Sequence, residues 1–319
     1  MTATIQRPER AAAVPARPHR PLLVLAAAMA VGVLACLVLL LVDTRELGGQ
    51  PLWAKPLKFC LSIAVYALTL AWLIGLVPER RRRLARILGS IAVAGLAIEM
   101  VVIGGAAAVG VTSHFNVTTP LHSALWAAMA VSIVVVWLVT LVLAALLARV
   151  PLGDPSLTLA VRAGLVIGLV GMALAFLMTG PTASQLSDYQ GFVGAHAVGV
   201  EDGGAGLPLL GWSTTGGDLR IPHFLGMHAL QGLPLLAFAL ARLGTRARLL
   251  GDATLRLRLV ALAALTWSAV VALTCWQALR GQSIVAPDAL TLAVGGAVVL
   301  ALVIAGVVAV RRASAEVAR

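Results

Sequence analysis

Long stretches without a single charged residue dominate this sequence. Five of them contain 20 to 22 residues each: 21–42, 59–78, 221–241, 259–279 and 289–310. A helix of about 20 apolar residues is long enough to cross the hydrocarbon core of a bilayer. These lengths therefore predict five membrane-spanning helices.

Three further spans are predicted in the middle of the chain, at about 87–110, 123–148 and 157–180. The first contains one charge, Glu99, and the third has Arg162 near its start. Of the 15 prolines, 14 fall in tails, loops or span ends, and only Pro234 lies inside a span. Proline breaks the helical hydrogen-bond ladder, so this distribution supports the count. The sequence predicts an all-α polytopic membrane helix bundle with about eight transmembrane helices.

The overall composition agrees with this fold class and excludes a soluble enzyme. Only 12% of the residues are charged and the mean hydropathy is +0.98, whereas soluble domains have about a quarter of their residues charged. The predicted organisation is a basic tail at 1–20, a transmembrane domain at 21–310 and a second tail at 311–319. A short likeness between Lys55-Pro56 with Lys58-Phe59 and Pro222-His223-Phe224 suggests two parallel four-helix halves.

The positive charges predict the orientation. The tails and alternate loops contain 19 of the 24 lysines and arginines, and the opposite side has five: Arg45, Lys55, Lys58, Arg220 and Arg280. The positive-inside rule therefore places both termini in the cytoplasm, and we expect the bacterial inner membrane as the location. The net charge of +11 is then a signal of topology, with contact to anionic lipids as a side effect. A nucleic-acid partner is not expected.

The outer side is expected to contain a polar pocket. It has five of the six histidines and a long loop at 181–220 with nine glycines. Loops of this length are usually functional or disordered. Glu99 in the third span is costly to insert into a membrane and is a functional candidate. The alternative is a protonated carboxyl group that bonds a neighbouring helix.

Span six differs from the other predicted helices, because it contains two histidines, Gln231, Gly232 and Pro234. His228 and Gln231 share one face, and His223 lies about 140° from His228 around the axis, so one metal ion is poorly served by both histidines. Gly232 and Pro234 also allow a packing kink with interhelical hydrogen bonds. The candidate metal ligands of the whole chain are His114, His122, His223 and His228, and a transition metal or haem is the candidate cofactor.

Other polar residues complete the candidate site. Lys55 and Lys58 are three residues apart and can bind an anionic headgroup or substrate, or extend to the membrane surface as interfacial anchors. The candidate ligand-binding residues are Lys55, Lys58, Asn116, Arg220 and Gln231. The candidate catalytic residues are Glu99, His228 and Asp218. By contrast, the small-residue spacing of Gly164, Gly168 and Gly171 predicts close helix packing.

Three strings carry a resemblance to a known family: WAKPLKF at 53–59, SHFN at 113–116 and GDLRIPHFLGMHALQ at 217–231. They resemble a family of uncharacterised bacterial integral membrane proteins, and the resemblance covers most of the chain. It implies the multi-pass architecture and no particular activity. Haem A synthases also have eight spans with both termini inside, but their signature segments and paired histidines within spans are not visible here.

Three functions remain open at this point, and whether the protein is an enzyme is one of the open questions. The first is a site at the outer side that uses histidines as metal or haem ligands or as acid–base groups. The second is a small-solute or proton-coupled transporter that uses Glu99. The third is a membrane assembly protein without catalysis. The expected partners are the lipid bilayer and a small-molecule or lipid ligand at the outer side, and the oligomeric state is open.

Overall fold

The structure, a computed structural model that describes residues 18–317, confirms the all-α bundle. Within these residues, eight helices are long and apolar enough to cross a membrane. Arg7, Arg10, Arg17 and Arg319 of the basic tails lie outside the described residues. The eight helices are α1 (Arg20–Val42), α2 (Ala54–Leu76), α3 (Glu79–Val109), α4 (Pro120–Leu147), α5 (Pro155–Ala173), α7 (Arg220–Gly244), α8 (Ala253–Leu279) and α9 (Ala289–Val317).

Shorter elements lie between the long helices. A 3₁₀ turn (Leu174–Met178) continues α5, α6 (Ala183–Ser187) follows it, and a second 3₁₀ turn (Arg248–Gly251) precedes α8. Two antiparallel strand pairs complete the set: β1 (Glu46–Leu47) with β2 (Gln50–Pro51), and β3 (Ala197–Val198) with β4 (Gly217–Asp218).

Side-chain caps explain where several helices begin. Thr119 accepts a hydrogen bond from the backbone N–H of His122 at the start of α4, and Asp154 accepts from Ser156 and Leu157 at the start of α5. Each cap precedes a proline at the first helical position. Proline lacks a backbone N–H, and at this position the helix has no use for one. By contrast, α3 begins at Glu79 and not near residue 87. The arginines after span two therefore form the first turns of this helix.

Two apolar clusters hold the bundle together. One is centred on α1, α2, α3 and α4, with Leu70, Ala92 and Val136, and it also includes buried residues of α5 and α7. The other joins α5, α7 and α8 and includes Leu233 and Val260. Helix α9 packs mainly against α8 at the edge of the bundle. Because the first cluster extends into α5 and α7, the clusters do not divide the bundle into two halves, and the two parallel four-helix halves stay a prediction.

The tightest helix contact involves the glycines predicted to pack closely. A Cβ atom added at Gly171 would lie 2.4 Å from the carbonyl carbon of Gly226, and one added at Gly164 would lie 2.8 Å from the carbonyl oxygen of Ala229. Real Cβ atoms essentially never come this close to backbone. The prediction of close packing at these glycines is confirmed, and the partner helix is α7.

The bundle has two different ends. We call the end with residues 43–53, 110–119 and 179–219 the loop end, and the opposite end, where α3 begins, the arginine end. Pairing between segments orders the loop end, because Asn116 bridges Phe192 and the N–H of Ala195 bonds the carbonyl of Met178. The long loop therefore folds over the ends of the helices.

Candidate functional site

Glu99 meets a histidine at the loop end. Its side chain is buried in α3, with the residue only 2% exposed. Helix α3 ends at Gly110, which has a positive φ of 77°, and the chain then turns back over the helix. His114 is thereby placed with its Nε2 atom 3.7 Å from Oε1 of Glu99. This separation is too long for a hydrogen bond but short enough for a small shift to form one.

The second carboxylate oxygen of Glu99, Oε2, is buried and unpaired: it has no hydrogen-bond partner among the residues that the structure describes. Buried polar atoms are almost always paired, because leaving one unpaired costs about 1–3 kcal/mol. This carboxylate oxygen, next to a histidine, can therefore accept a hydrogen bond or carry a proton without breaking an existing contact.

Aromatic rings surround His114. The ring centroids of Phe59, Phe115 and Trp126 lie 5.8, 6.0 and 5.3 Å from that of His114. Burial among these rings lowers the pKa of His114 well below its usual value, and the nearby charge of Lys55 lowers it further. His114 is consequently neutral at pH 7, with one ring nitrogen able to accept a proton.

The two lysines of α2 have different roles. Lys58 donates from Nζ to the carbonyl oxygen of Leu210 at 2.8 Å and so attaches the long loop to the helix. Lys55 interacts electrostatically with Glu99 and with His114. The loop end therefore brings together a carboxyl group, an imidazole and an amine from α3, the following loop and α2.

A histidine–aspartate pair, His196 and Asp202, lies beside this group. Neither residue is among the candidates that the sequence indicates. His196 Nδ1 donates to Oδ2 of Asp202 at 2.7 Å, and the ring of His196 lies 4.8 Å from that of Phe115. Both residues come from the glycine-rich loop, six positions apart. Their spacing has no helical or strand period, so the only sequence signal was that a histidine and an acid share a loop.

The pKa values of this pair have separate causes. Burial lowers the pKa of His196, and the hydrogen bond to Asp202 opposes that effect only in part. Burial by itself would raise the pKa of Asp202, but hydrogen bonds from His196 and from the backbone of Ala197 outweigh it and hold the pKa well below its usual value. Asp202 is therefore ionised and fixes the orientation of a neutral His196.

Asp218 and Arg220 are bound to each other. Asp218 is 1% exposed. Its two oxygens accept from Nε and Nη2 of Arg220 at 3.0 and 2.6 Å, and also from the backbone N–H groups of Arg220 and Ser213. Arg220 donates in addition to the carbonyl of Gly211. The arrangement joins the loop to the first turn of α7, and it occupies the carboxylate that was a catalytic candidate.

The histidines of α7 make different contacts. His223 donates from Nδ1 to the carbonyl of Gly171 at 2.7 Å. Gly171 lies in the last turn of α5, so this hydrogen bond joins α7 to the end of α5. His228 is exposed, and its Nδ1 lies 3.3 Å from Oε1 of Gln231. The two residues thus share a helix face, as the spacing predicts.

The remaining candidates stabilise the connection before α4. Asn116 is buried and accepts from the N–H and the hydroxyl of Thr118. His122 bonds the same hydroxyl oxygen at 2.9 Å. These contacts form a local turn, so Asn116 shapes the loop that carries His114.

The four candidate metal ligands have four separate sets of contacts. Within residues 18–317, no group of three or more His, Cys, Asp or Glu side chains is arranged to hold a metal ion. The structure instead gathers His114, Glu99, Lys55 and His196 at the loop end, and leaves His122 and His228 on local partners. The role of these histidines as metal or haem ligands stays a prediction.

No family model matches the chain, and no curated protein or solved structure matches it either. The resemblance that the three sequence strings suggest therefore stays a prediction as well. What the protein does has to be argued from the geometry of the loop end.

We expect His114 and His196 to contribute a loss of stability as the pH falls below about 6.5. The pKa values of His114 and His196 lie below their ordinary value of 6.5 in the folded protein. The unfolded chain therefore takes up protons first as the pH falls, which favours unfolding. Asp202 adds a further loss below its ordinary value of 3.8. Thermal unfolding in detergent between pH 7.5 and 5 measures the effect.

The control for this pH dependence is a third histidine. His114→Gln should flatten the dependence, whereas His122→Gln should retain it, because the His122 ring bonds the Thr118 hydroxyl in a partly exposed position. An equal pH dependence in His114→Gln, His196→Gln and the wild type would show that these buried rings are not responsible.

Proposed function

We propose that this multi-pass membrane protein has an acid–base site at its loop end, formed by Glu99, His114 and Lys55. The site transfers a proton to or from a polar group of a small-molecule or lipid ligand. The single observation that carries the proposal is the approach of His114 to Glu99 at 3.7 Å, beside a buried oxygen of Glu99 without a partner.

The chemistry of the three groups supports this role. A general acid or base needs a group that can hold a proton and release it within hydrogen-bond reach of the ligand. Glu99 has a free oxygen for that contact, and the neutral ring of His114 can exchange a proton with it. When protonated, Lys55 supplies a positive charge that stabilises an anion on the ligand or on Glu99.

The surroundings of the site support the same proposal. Phe59, Phe115 and Trp126 cover most of the His114 side chain, which is 18% exposed, and this apolar cover strengthens electrostatic interactions inside the site. His196 and Asp202 form a second pair next to this aromatic cluster. The separate contacts of the four candidate ligands favour the acid–base alternative over an ion shared between them.

The test compares Glu99→Gln with a matched control, Glu46→Gln. Glu46 is an exposed glutamate of β1 at the same end of the bundle. Glutamine retains the size of the side chain but cannot carry the proton. We expect Glu99→Gln to fold and to lower turnover by about a hundredfold or more, the usual contribution of a general acid or base. Glu46→Gln should leave turnover unchanged.

The measurement of turnover does not require the ligand to be identified first. Membranes from cells that express the wild type or a variant are compared by untargeted mass spectrometry of lipids and small molecules. The expected result is a compound that is consumed with the wild type and with Glu46→Gln but accumulates with Glu99→Gln. Infrared difference spectra after a pH change should also lose a carboxyl band in Glu99→Gln alone.

Other outcomes would contradict the acid–base role. If Glu99→Gln behaves as the wild type in both measurements while Glu99→Leu unfolds, Glu99 is a structural residue. If Glu99→Gln abolishes a proton flux across vesicles and no compound changes, the transporter alternative replaces this proposal.

The proposed orientation places the loop end outside the cytoplasm, on the basis of the arginine distribution. A reporter active only in the cytoplasm should be active when fused at the C-terminus and inactive when inserted near Glu201 in the long loop. The reverse pattern would contradict the orientation. In bacteria, we propose the inner membrane as the location.

A further inference from the structure

A cleft of about 670 Å³ opens at the arginine end, away from the proposed acid–base site. It lies between the start of α1 and the first turns of α3. Its walls include Arg20, Arg82, Arg83, Arg86, Glu79 and Ser90. The residues from α3 are spaced three or four positions apart, so they share one face of that helix. Arg80 and Arg81 belong to the same turns but do not line the cleft.

The cleft has an excess of positive charge. Four guanidinium groups face a single carboxylate, that of Glu79. In the part of the chain from residue 18 to residue 317, none of these four arginines lies within 4.0 Å of a carboxylate oxygen. The Nε atom of Arg82 is buried without a hydrogen-bond partner in the same part of the chain. Arginine clusters of this kind suit the oxygens of a phosphate group.

His19 holds the two walls of the cleft together. It is 3% exposed, accepts the N–H of Leu22 at Nδ1, and has Nε2 2.9 Å from the carbonyl of Arg86. These contacts assign the proton to Nε2 and make the ring neutral. They fix the start of α1 against α3, so the spacing of the arginines is set by the fold and not by flexible side chains alone.

An apolar groove continues from the cleft along the bundle. It shares Arg20 and Pro21 with the cleft and then follows Val24, Ala28 and Val93. Val24 and Ala28 are four residues apart on α1 and lie on one face of it. A basic cleft that opens into an apolar groove fits a ligand with an anionic head and a hydrocarbon tail.

We propose that the cleft and groove bind one anionic phospholipid, with its phosphate at Arg82, Arg83 and Arg86. An acyl chain then lies along Val24, Ala28 and Val93. In the proposed orientation this site faces the cytoplasmic leaflet, where anionic headgroups are attracted to basic residues next to transmembrane helices. The site is separate from Glu99 and does not depend on the acid–base function.

The test measures binding of dioleoyl phosphatidylglycerol to the full-length purified protein by native mass spectrometry. Arg82→Gln with Arg83→Gln is compared with Arg80→Gln with Arg81→Gln, which removes the same charge from the same helix. We expect the first pair to weaken binding about thirtyfold, given about 1 kcal/mol per arginine near a lipid surface. The second pair should change binding less than threefold. Phosphatidylcholine should bind weakly to all proteins.

Two further probes distinguish a lipid from a free phosphate. Ala28→Trp fills the groove and should weaken phosphatidylglycerol binding while the arginines stay in place. Glycerol 3-phosphate, which has the headgroup chemistry but no acyl chain, should not displace the lipid.

A variant with Arg82→Lys and Arg83→Lys should fold and bind with an intermediate affinity, which separates loss of the site from loss of the fold.

Three results would overturn the proposal. Equal weakening by the two glutamine pairs would indicate diffuse attraction to a basic surface. Equal binding of phosphatidylcholine would show that the arginines do not select an anion. Displacement by glycerol 3-phosphate together with no effect of Ala28→Trp would indicate a site for a soluble phosphate and not for a lipid.

Discussion

Gly171→Ala is expected to lower the free energy of unfolding by about 3 kcal/mol, the upper part of the usual range for overpacking. The added methyl group would lie 2.4 Å from the carbonyl carbon of Gly226 and from the amide nitrogen of Met227. These are backbone atoms and cannot rotate away, so α5 and α7 must separate. Separation would also stretch the 2.7 Å hydrogen bond from His223 to the Gly171 carbonyl. Unfolding in mixed micelles with increasing SDS measures the loss.

The matched control is Gly104→Ala in the interior of α3. A Cβ atom at Gly104 meets nothing within 4 Å. Alanine has the higher helix propensity, so this variant should be neutral or slightly more stable. If Gly171→Ala and Gly104→Ala unfold alike, the close contact between α5 and α7 is wrong.

Asp218→Ala is expected to cost about 3–5 kcal/mol, the range found when one partner of a buried ion pair is removed. The substitution leaves the guanidinium of Arg220 without its carboxylate, and it also removes the acceptor for the backbone N–H of Ser213. The loop above Glu99 should then open first. Limited proteolysis and thermal unfolding in detergent measure the two effects.

Two controls distinguish the loss of the ion pair from a general disturbance of the loop. Asp188→Ala, at an exposed aspartate of the same loop whose side chain accepts a hydrogen bond from Gln190, should change stability by less than about 0.5 kcal/mol. The double variant Asp218→Leu with Arg220→Met should be more stable than Asp218→Ala, because no charge is left unpaired. A double variant that is less stable than Asp218→Ala would contradict this explanation.

The candidate site could be predicted only in part. Glu99 is a candidate from the sequence because a carboxylate inside a span is costly, whatever its neighbours are. Its contact with His114 depends on how the chain turns after Gly110 and on the left-handed backbone of Phe115, whose φ is 63°. The sequence indicates separate roles for Asp218 and Arg220, catalysis and ligand binding, whereas the structure shows that each is the partner of the other.

His196 and Asp202 could not be predicted as part of the site from the sequence. Neither residue lies in a periodic segment, and both belong to a loop in which glycines permit many backbone paths. Periodicity identifies which residues share a helix face, as it did for His228 and Gln231. It carries no information about which loop residues meet, because that depends on contacts between distant segments.

The sequence by itself determined the eight helices and the close glycine contact of α5. The reason is energetic and local. Unpaired polar groups in hydrocarbon are so unfavourable that spans must be apolar and helical over a bilayer thickness. Only the tertiary structure decided that His114 meets Glu99, that Arg220 is bound to Asp218 and that the arginines of α3 line a cleft with α1. These contacts join segments that are far apart in the chain, and they exist only after the helices have packed and brought the loops together.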